Sequence, residues 1–174
     1  MGVAIPQVIT EDRAGGAQVI DGSLRFDSSK SHYLSRTPAS AGNTKTFTVS
    51  TWFKRLKTGT NAFILSPVDA ANQHRITIES DKFSIVWAQG TQYSYTNAVL
   101  RDFSSWYHLV IAVDTTQSVT EDKIKFYING RLMEKTITGT IPSTFDFNTT
   151  KQHRISSFNA VSYTHLTLPT NREV

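Results

Sequence analysis

The chain has 174 residues and a formal net charge of +4, from 18 Lys and Arg against 14 Asp and Glu. That length suits one domain with a substantial core. The basic residues are scattered rather than clustered, which argues against nucleic acid and mildly favours acidic partners such as an anionic polysaccharide. No Cys is present, so disulfides and thiolate chemistry are excluded, and no apolar run approaches the ~20 residues of a helical membrane span. Residues 1–6, MGVAIP, lack a basic region followed by a long apolar stretch, so no secretory signal is expected. Pro6 also stands where a myristoylation signal wants Ser or Thr.

Residues 1–20 show little periodicity and are expected to form an arm leading into a domain over 21–160. Short strands are expected over 23–26 and 32–35, on either side of the polar turn 27–30. A loop rich in Ala, Ser, Gly and Asn follows at 38–45. The stretch 46–54 alternates, with Phe47, Val49, Thr51 and Phe53 on one face and Trp52 on the other, the period of a strand. Further strands are expected over 62–65, 75–78, 83–88 and 92–96, separated by turn-forming residues at 69–73, 80–81 and 90–91. In 106–114, Tyr107, Leu109, Ile111 and Val113 alternate with Trp106, His108, Val110 and Ala112. Residues 115–120 read as a solvated loop. In 123–128, Ile124, Phe126 and Ile128 face one way while Lys123, Lys125 and Tyr127 face the other. Asn129 and Gly130 accept the positive φ of a tight hairpin turn, with Arg131, Leu132 and Met133 as the returning strand. No helix and no internal repeat stands out. Many short strands with frequent turns, rich in β-branched and aromatic residues, predict an all-β fold, an antiparallel β-sandwich or jelly roll.

Several segments carry a resemblance in the same order: GSLRF at 22–26, Tyr33 with Leu34, FTVSTWFK at 47–54, the strand opening W-x-H at Trp106 and ending at Asp114, and KIKFYING at 123–130. Over most of 17–158 they resemble laminin G-like domains of the concanavalin A-like jelly-roll superfamily. With PQVITEDR at 6–13, YLSRT at 33–37 and VLRD at 99–102, the chain is also similar to uncharacterised virion-associated proteins of aquatic bacteriophages. Those carry such a domain near the start of a longer polypeptide. The resemblance implies a non-catalytic recognition or structural module of a phage virion. Such a module would be tail-associated and made in the host cytoplasm, with host-surface carbohydrate and other virion proteins as partners. Two other functions stay open: a purely architectural virion domain that binds no sugar, and a fragment of a polysaccharide-degrading enzyme whose catalytic part lies elsewhere.

The stretch VSYTHLTLPT at 161–170 resembles translated sequencing-library DNA, because one reverse translation matches a transposon-end adapter. The alternative is an ordinary C-terminal strand using Tyr163, His165 and Leu166. The adapter origin implies a metagenomic reading frame cut short near Ala160 and a non-native tail over 161–174. It also implies a sandwich missing its last strand, since nothing after His153, Arg154 and Ile155 matches the family's closing G-x-[IL]-[AD]-[DE]-[VL]. A missing strand leaves an open edge and an expectation of poor stability.

Glycosidases on this fold use two carboxylates, aimed at one cleft by an E-x-D-x-x-E or E-x-D-x-E strand. The only E-x-D here is Glu79, Ser80, Asp81, which lacks the third acid and falls at an expected turn, so it reads as solvated. No nucleophile elbow is present, and enzymatic activity is not expected. The five histidines, His32, His74, His108, His153 and His165, show no metal-ligand spacing, and His108 beside Trp106 is expected to be structural. The family resemblance implies calcium at a loop rim, bound by Asp side chains and carbonyls. Asp69, Asp102 and Asp114 are the candidate ligands, although no motif picks out a pair. Sugar recognition needs an aromatic face and nearby polar groups. The candidates are Trp87, Tyr93, Tyr95 and Arg101. Trp87 shares a face with Phe83 and Ile85 and equally reads as core, whereas Tyr93 and Tyr95 share one face beside a Gly-Thr turn. Trp52 and Trp106 are assigned mainly to packing.

Overall fold

A computed structural model describes residues 22–27, 30–55, 61–158 and 166–170. In chain order the strands are β1 (Gly22–Arg25), β2 (Leu34–Arg36), β3 (Thr46–Arg55), β4 (Ala62–Pro67), β5 (Arg75–Glu79), β6 (Lys82–Trp87), β7 (Gln92–Thr96), β8 (Tyr107–Asp114), β9 (Ile124–Ile128), β10 (Arg131–Met133), β11 (Lys135–Thr138), β12 (His153–Ile155) and β13 (Leu166–Thr170). They form a six-stranded sheet, β1-β13-β3-β8-β9-β10, and a seven-stranded sheet, β11-β7-β6-β5-β4-β12-β2. Each pairing is antiparallel. The expected all-β antiparallel sandwich is what the chain forms.

Side-chain alternation explains the six-stranded half. On β8, Leu109, Ile111 and Val113 are buried, and they pair in register with Ile128, Phe126 and Ile124 of β9. A period of two sends this set inward and leaves Val110, Lys125 and Tyr127 on the other face. From the opposite sheet Ile76, Ile78, Phe83, Ile85 and Trp87 complete the core. The Phe83 and Phe126 rings meet edge to face across the gap, 5.2 Å apart. Asn129 and Gly130 take φ of 51° and 78°, the all-left-handed pair that the β9–β10 hairpin requires. Asn129 also ties the hairpin to β8, its N–H donating to the His108 carbonyl at 2.8 Å and its Oδ1 accepting from the His108 N–H at 2.8 Å.

The seven-stranded half departs from simple alternation. Strands β4 to β6 are buried on both faces over most of their length, and residues 156–158 lie over the outer face at β4 and β5. There Phe158 stacks on Phe63 with centroids 5.4 Å apart, the Ser156 N–H donates to the Phe63 carbonyl at 3.1 Å, and the Ser66 hydroxyl donates to the Ser157 carbonyl.

Two expectations change. β11, which the sequence does not flag, adds an edge strand beside β7. Where an open edge was expected, a segment of the tail pairs: Leu166–Thr170 lies between β1 and β3, pairing Gly22 to Arg25 on one side and Lys54 and Arg55 on the other. Ladder bonds are made by main-chain groups that every residue but proline supplies. Pro169 falls beyond the two residues paired with β3, where a strand tolerates it. The expected arm over 1–20, and the tail residues 161–165 and 171–174 with His165 among them, lie outside the described residues.

Candidate functional site

The outer face of the seven-stranded sheet gathers a set of polar and aromatic side chains. Register places Tyr93 opposite Val86 and Tyr95 opposite Ser84, Arg75 opposite Val86 and Glu79 opposite Lys82, and Thr136 and Thr138 of β11 opposite Tyr95 and Tyr93. All of these residues point away from the core. Glu79, Ser80, Lys82, Ser84, Val86, Tyr93 and Tyr95 line a recess of about 360 Å³. The two tyrosine rings sit 5.7 Å apart, tilted by 33°, and the Lys82 ammonium lies 4.3 Å over the Tyr95 ring. Arg75 Nε donates to Glu79 Oε1 at 3.1 Å, while its guanidinium packs 4.9 Å over Phe158. Rings that present a flat face to C–H groups, with an ammonium and hydroxyls beside them, form a surface on which a sugar ring can be seated and oriented. Among the described residues lining it, Glu79 is the one carboxylate, and it is neutralised by Arg75. Glycoside hydrolysis calls for a pair.

The other two proposed sugar contacts lie elsewhere. Trp87 is on the opposite face of β6 from Ser84 and Val86 and is 2 % exposed. Its indole N–H donates to Gln92 Oε1 at 3.0 Å and the Thr140 carbonyl at 2.9 Å, so it belongs to the core. Arg101 follows β7 outside the recess, where its Nε donates to Asp81 Oδ2 at 3.2 Å.

Asp81 itself corrects the solvated-turn expectation. Ser80 and Asp81 take φ of 50° and 64°, which makes the β5–β6 turn, but Asp81 is buried against Arg55. Arg55 is 1 % exposed and donates from Nη1 to Asp81 Oδ1 at 2.7 Å and to the Leu100 carbonyl. The Leu100 N–H donates back to the Asp81 carbonyl at 2.7 Å.

The three aspartates considered for calcium do not converge, and each is held by donors of its own. Asp102 accepts from the Ser104 N–H and hydroxyl at 2.7 and 2.6 Å. The Ser104 and Ser105 donors hold its pKa down at about 2. Asp114 accepts from the Thr116 hydroxyl and N–H and from Gln117, which lower its pKa, the Thr116 hydroxyl foremost. Asp69 is bonded to the Lys151 ammonium, which pulls its pKa well below the usual carboxylate range. Among the described residues no group of three or more His, Asp or Glu side chains is arranged to hold a metal ion.

Asp69 belongs instead to a cluster that pins the 146–151 loop to the β4–β5 connection. Lys151 Nζ also reaches Asp146 Oδ1 at 2.9 Å, and Asn72 Nδ2 donates to Asp146 Oδ2 at 3.0 Å. The buried His74 accepts the Asp146 N–H at Nδ1, 2.9 Å away. Its 3.2 Å approach to Asp146 Oδ2 is therefore a contact of a neutral ring rather than an ion pair. Burial lowers the His74 pKa, outweighing the opposing pull of Asp146 and Asp69. An unfolded histidine takes up a proton at about pH 6.5, where the folded ring stays neutral, so acidification below that point favours unfolding. The melting temperature is expected to fall between pH 7 and pH 5, and H74Q, which keeps an acceptor, should fall less over the same range; equal slopes would place the titration elsewhere.

Sequence reasoning missed two features. Trp52 and Trp106, assigned to packing, are 45 % and 37 % exposed. Trp52 stacks on His108 at 4.9 Å, with Ser50 Oγ 2.9 Å from His108 Nε2. On the same outer face of the six-stranded sheet, the neighbouring row runs through Ser50, Val110, Tyr127 and Leu132, which register sets side by side. The second feature is a groove of about 650 Å³ beside β2 and β12, walled by Leu34, Pro38, Leu65 and Ile155. It is the larger cavity, but among the described residues its lining offers no Tyr or Trp ring for a sugar to stack on.

A family model described as the concanavalin A-like lectin/glucanases superfamily matches residues 27–161. Among solved structures, domains LG4-5 of the mouse laminin alpha1 chain align with a TM-score of 0.63 at 9 % identity, covering 86 % of this chain and 41 % of that one. The LG1-3 region of the laminin alpha2 chain aligns at 0.57 and 12 % identity, covering 88 % of this chain and 32 % of that one. A native heptameric SAP-like pentraxin from Limulus polyphemus aligns at 0.53 and 10 % identity, covering 87 % and 70 %. The chain thus spans less than half the length of these laminin structures. No match was found among curated proteins. At such identities the structural likeness speaks for the fold, and together with the family match it settles the classification: the chain belongs to the concanavalin A-like lectin/glucanases superfamily, as a laminin G-like domain.

Proposed function

We propose that this domain is a non-catalytic carbohydrate-recognition module that seats its ligand on the outer face of the seven-stranded sheet. The observation that carries the proposal is the pairing of Tyr93 and Tyr95 in one recess with Lys82 and Ser84. Every one of these residues is on a regular strand whose register fixes its position, so little ordering cost remains for binding. The proposed setting is the tail of a phage virion, where the module meets host-surface polysaccharide and other virion proteins; the similarity of 6–13, 33–37 and 99–102 to virion-associated phage proteins supports it. Residues 161–174 we read as adapter-derived: main-chain pairing by Leu166–Thr170 is available to almost any extended segment and does not speak for its origin. Sequencing the source gene past Ala160 tests that point.

One observation favours a second function. Exposed Trp52 and Leu132, with half-buried Val110 and Tyr127 on the same sheet face, make the kind of apolar surface that marks protein contacts, which suits an architectural virion domain. A glycan array of bacterial surface polysaccharides, probed with the purified domain in the presence of calcium, separates the two. Binding to a defined set of glycans is the expected result. No binding to any would overturn the recognition proposal in favour of the architectural one.

A further inference from the structure

We infer that the Tyr93–Tyr95 recess selects acidic sugars, those carrying a ring carboxylate, through the ammonium of Lys82. This rests on the proposal that the recess is a carbohydrate site.

The charges around the recess are unequal in what they have left to give. Arg75 has its charge paired: its Nε serves Glu79 at 3.1 Å, its Nη1 donates to the Gln73 carbonyl at 3.3 Å, and its planar face lies on Phe158. Glu79 is thereby neutralised by a residue of its own strand. Lys82 stands directly across the turn from Glu79 in register, yet among the described residues it forms no ion pair. Its ammonium rests over the Tyr95 ring instead. A cation–π contact holds the charge in place without cancelling it. The recess therefore carries one uncompensated positive charge on a half-buried side chain, and a half-buried site screens that charge less than open solvent would.

The geometry assigns the two tyrosines different tasks. Tyr95 has its ring under Lys82 and fixes the ammonium. Tyr93, beside it at 5.7 Å, is left as the stacking surface. A pyranose lying on Tyr93 brings a ring substituent toward Lys82, and a carboxylate there gains a charge-assisted hydrogen bond. A neutral hydroxymethyl group at the same place gains only an ordinary one. Ser84, opposite Tyr95, lies at the floor of the recess with its hydroxyl donating to the Lys82 carbonyl at 3.2 Å.

Isothermal titration with uronic acid oligosaccharides (galacturonan, alginate and hyaluronan fragments), each compared with its own methyl ester, tests the inference. Esterification removes the charge and leaves the ring unchanged. The acid form of at least one series is expected to bind about tenfold or more tightly than its ester. K82M should erase that preference, the acid then binding no tighter than its ester, and K82R should restore it. Equal affinity for acid and ester, or a preference that survives in K82M, would overturn the inference and leave the carbohydrate site standing. Failure of every acid, every ester and every neutral glycan on the array to bind would overturn both.

Discussion

Replacing Asp81 with asparagine is expected to lower the free energy of unfolding by about 3–5 kcal/mol, the cost of leaving one member of a buried ion pair without its partner. Arg55 is 1 % exposed, and its guanidinium cannot lose its proton. Its Nη1 would keep the Leu100 carbonyl, but the charge would lose its carboxylate. Asparagine is the cleaner substitution because it tolerates the left-handed backbone that position 81 adopts at φ 64°, so turn strain does not enter the comparison. The control is R101A: that side chain is 69 % exposed, and an exposed pair contributes about 0–1 kcal/mol. Urea unfolding of the two variants beside the parent measures both. A D81N loss no larger than that of R101A would show that Arg55 finds another anion.

Removing both tyrosines of the recess is expected to abolish glycan binding. A truncated hot-spot aromatic costs about 2 kcal/mol, roughly 30-fold in affinity, so Y93A with Y95A should weaken binding by about two to three orders of magnitude, past the reach of titration calorimetry. The fold should tolerate the change, because both rings lie on the outer face of β7 and neither belongs to the core between the sheets. Singly, Y93A removes the stacking surface, and Y95A also frees the Lys82 ammonium that rests on it. W52A should leave binding intact. If W52A weakens binding and the tyrosine pair does not, the ligand sits on the six-stranded sheet instead.

What the sequence makes legible follows from how locally each feature is determined. β8, β9 and the Asn129–Gly130 turn could be read directly, because one face of each strand is buried and the other is not, and alternation records that contrast. Tyr93 and Tyr95 could be placed together for the same reason, since residues two apart on a strand share a face. Nothing local reveals that Asp81 pairs with Arg55 across 26 positions, so its position in a turn suggested solvent. The outer faces of β4 and β5 are covered in part by residues 156–158 folding over the sheet, a distant event that flattens the periodic signal. Trp52 was visible as the odd residue on its strand's polar face, yet its size suggested packing. Its exposure depends on which sheet face the rest of the chain leaves uncovered. β13 is ambiguous for a different reason: the same residues resemble translated adapter DNA and carry Leu166 and Leu168 at a spacing that suits a strand.

The account turns on which surface takes the ligand. A titration of the ¹⁵N-labelled domain with an array-selected oligosaccharide, followed by amide chemical shifts, locates that surface residue by residue. The expected map clusters on Glu79 to Ser84 and Tyr93 to Tyr95, with the Trp52 and Leu132 amides unmoved; shifts confined to β3, β8 and β10, or to the groove beside β2 and β12, would contradict it.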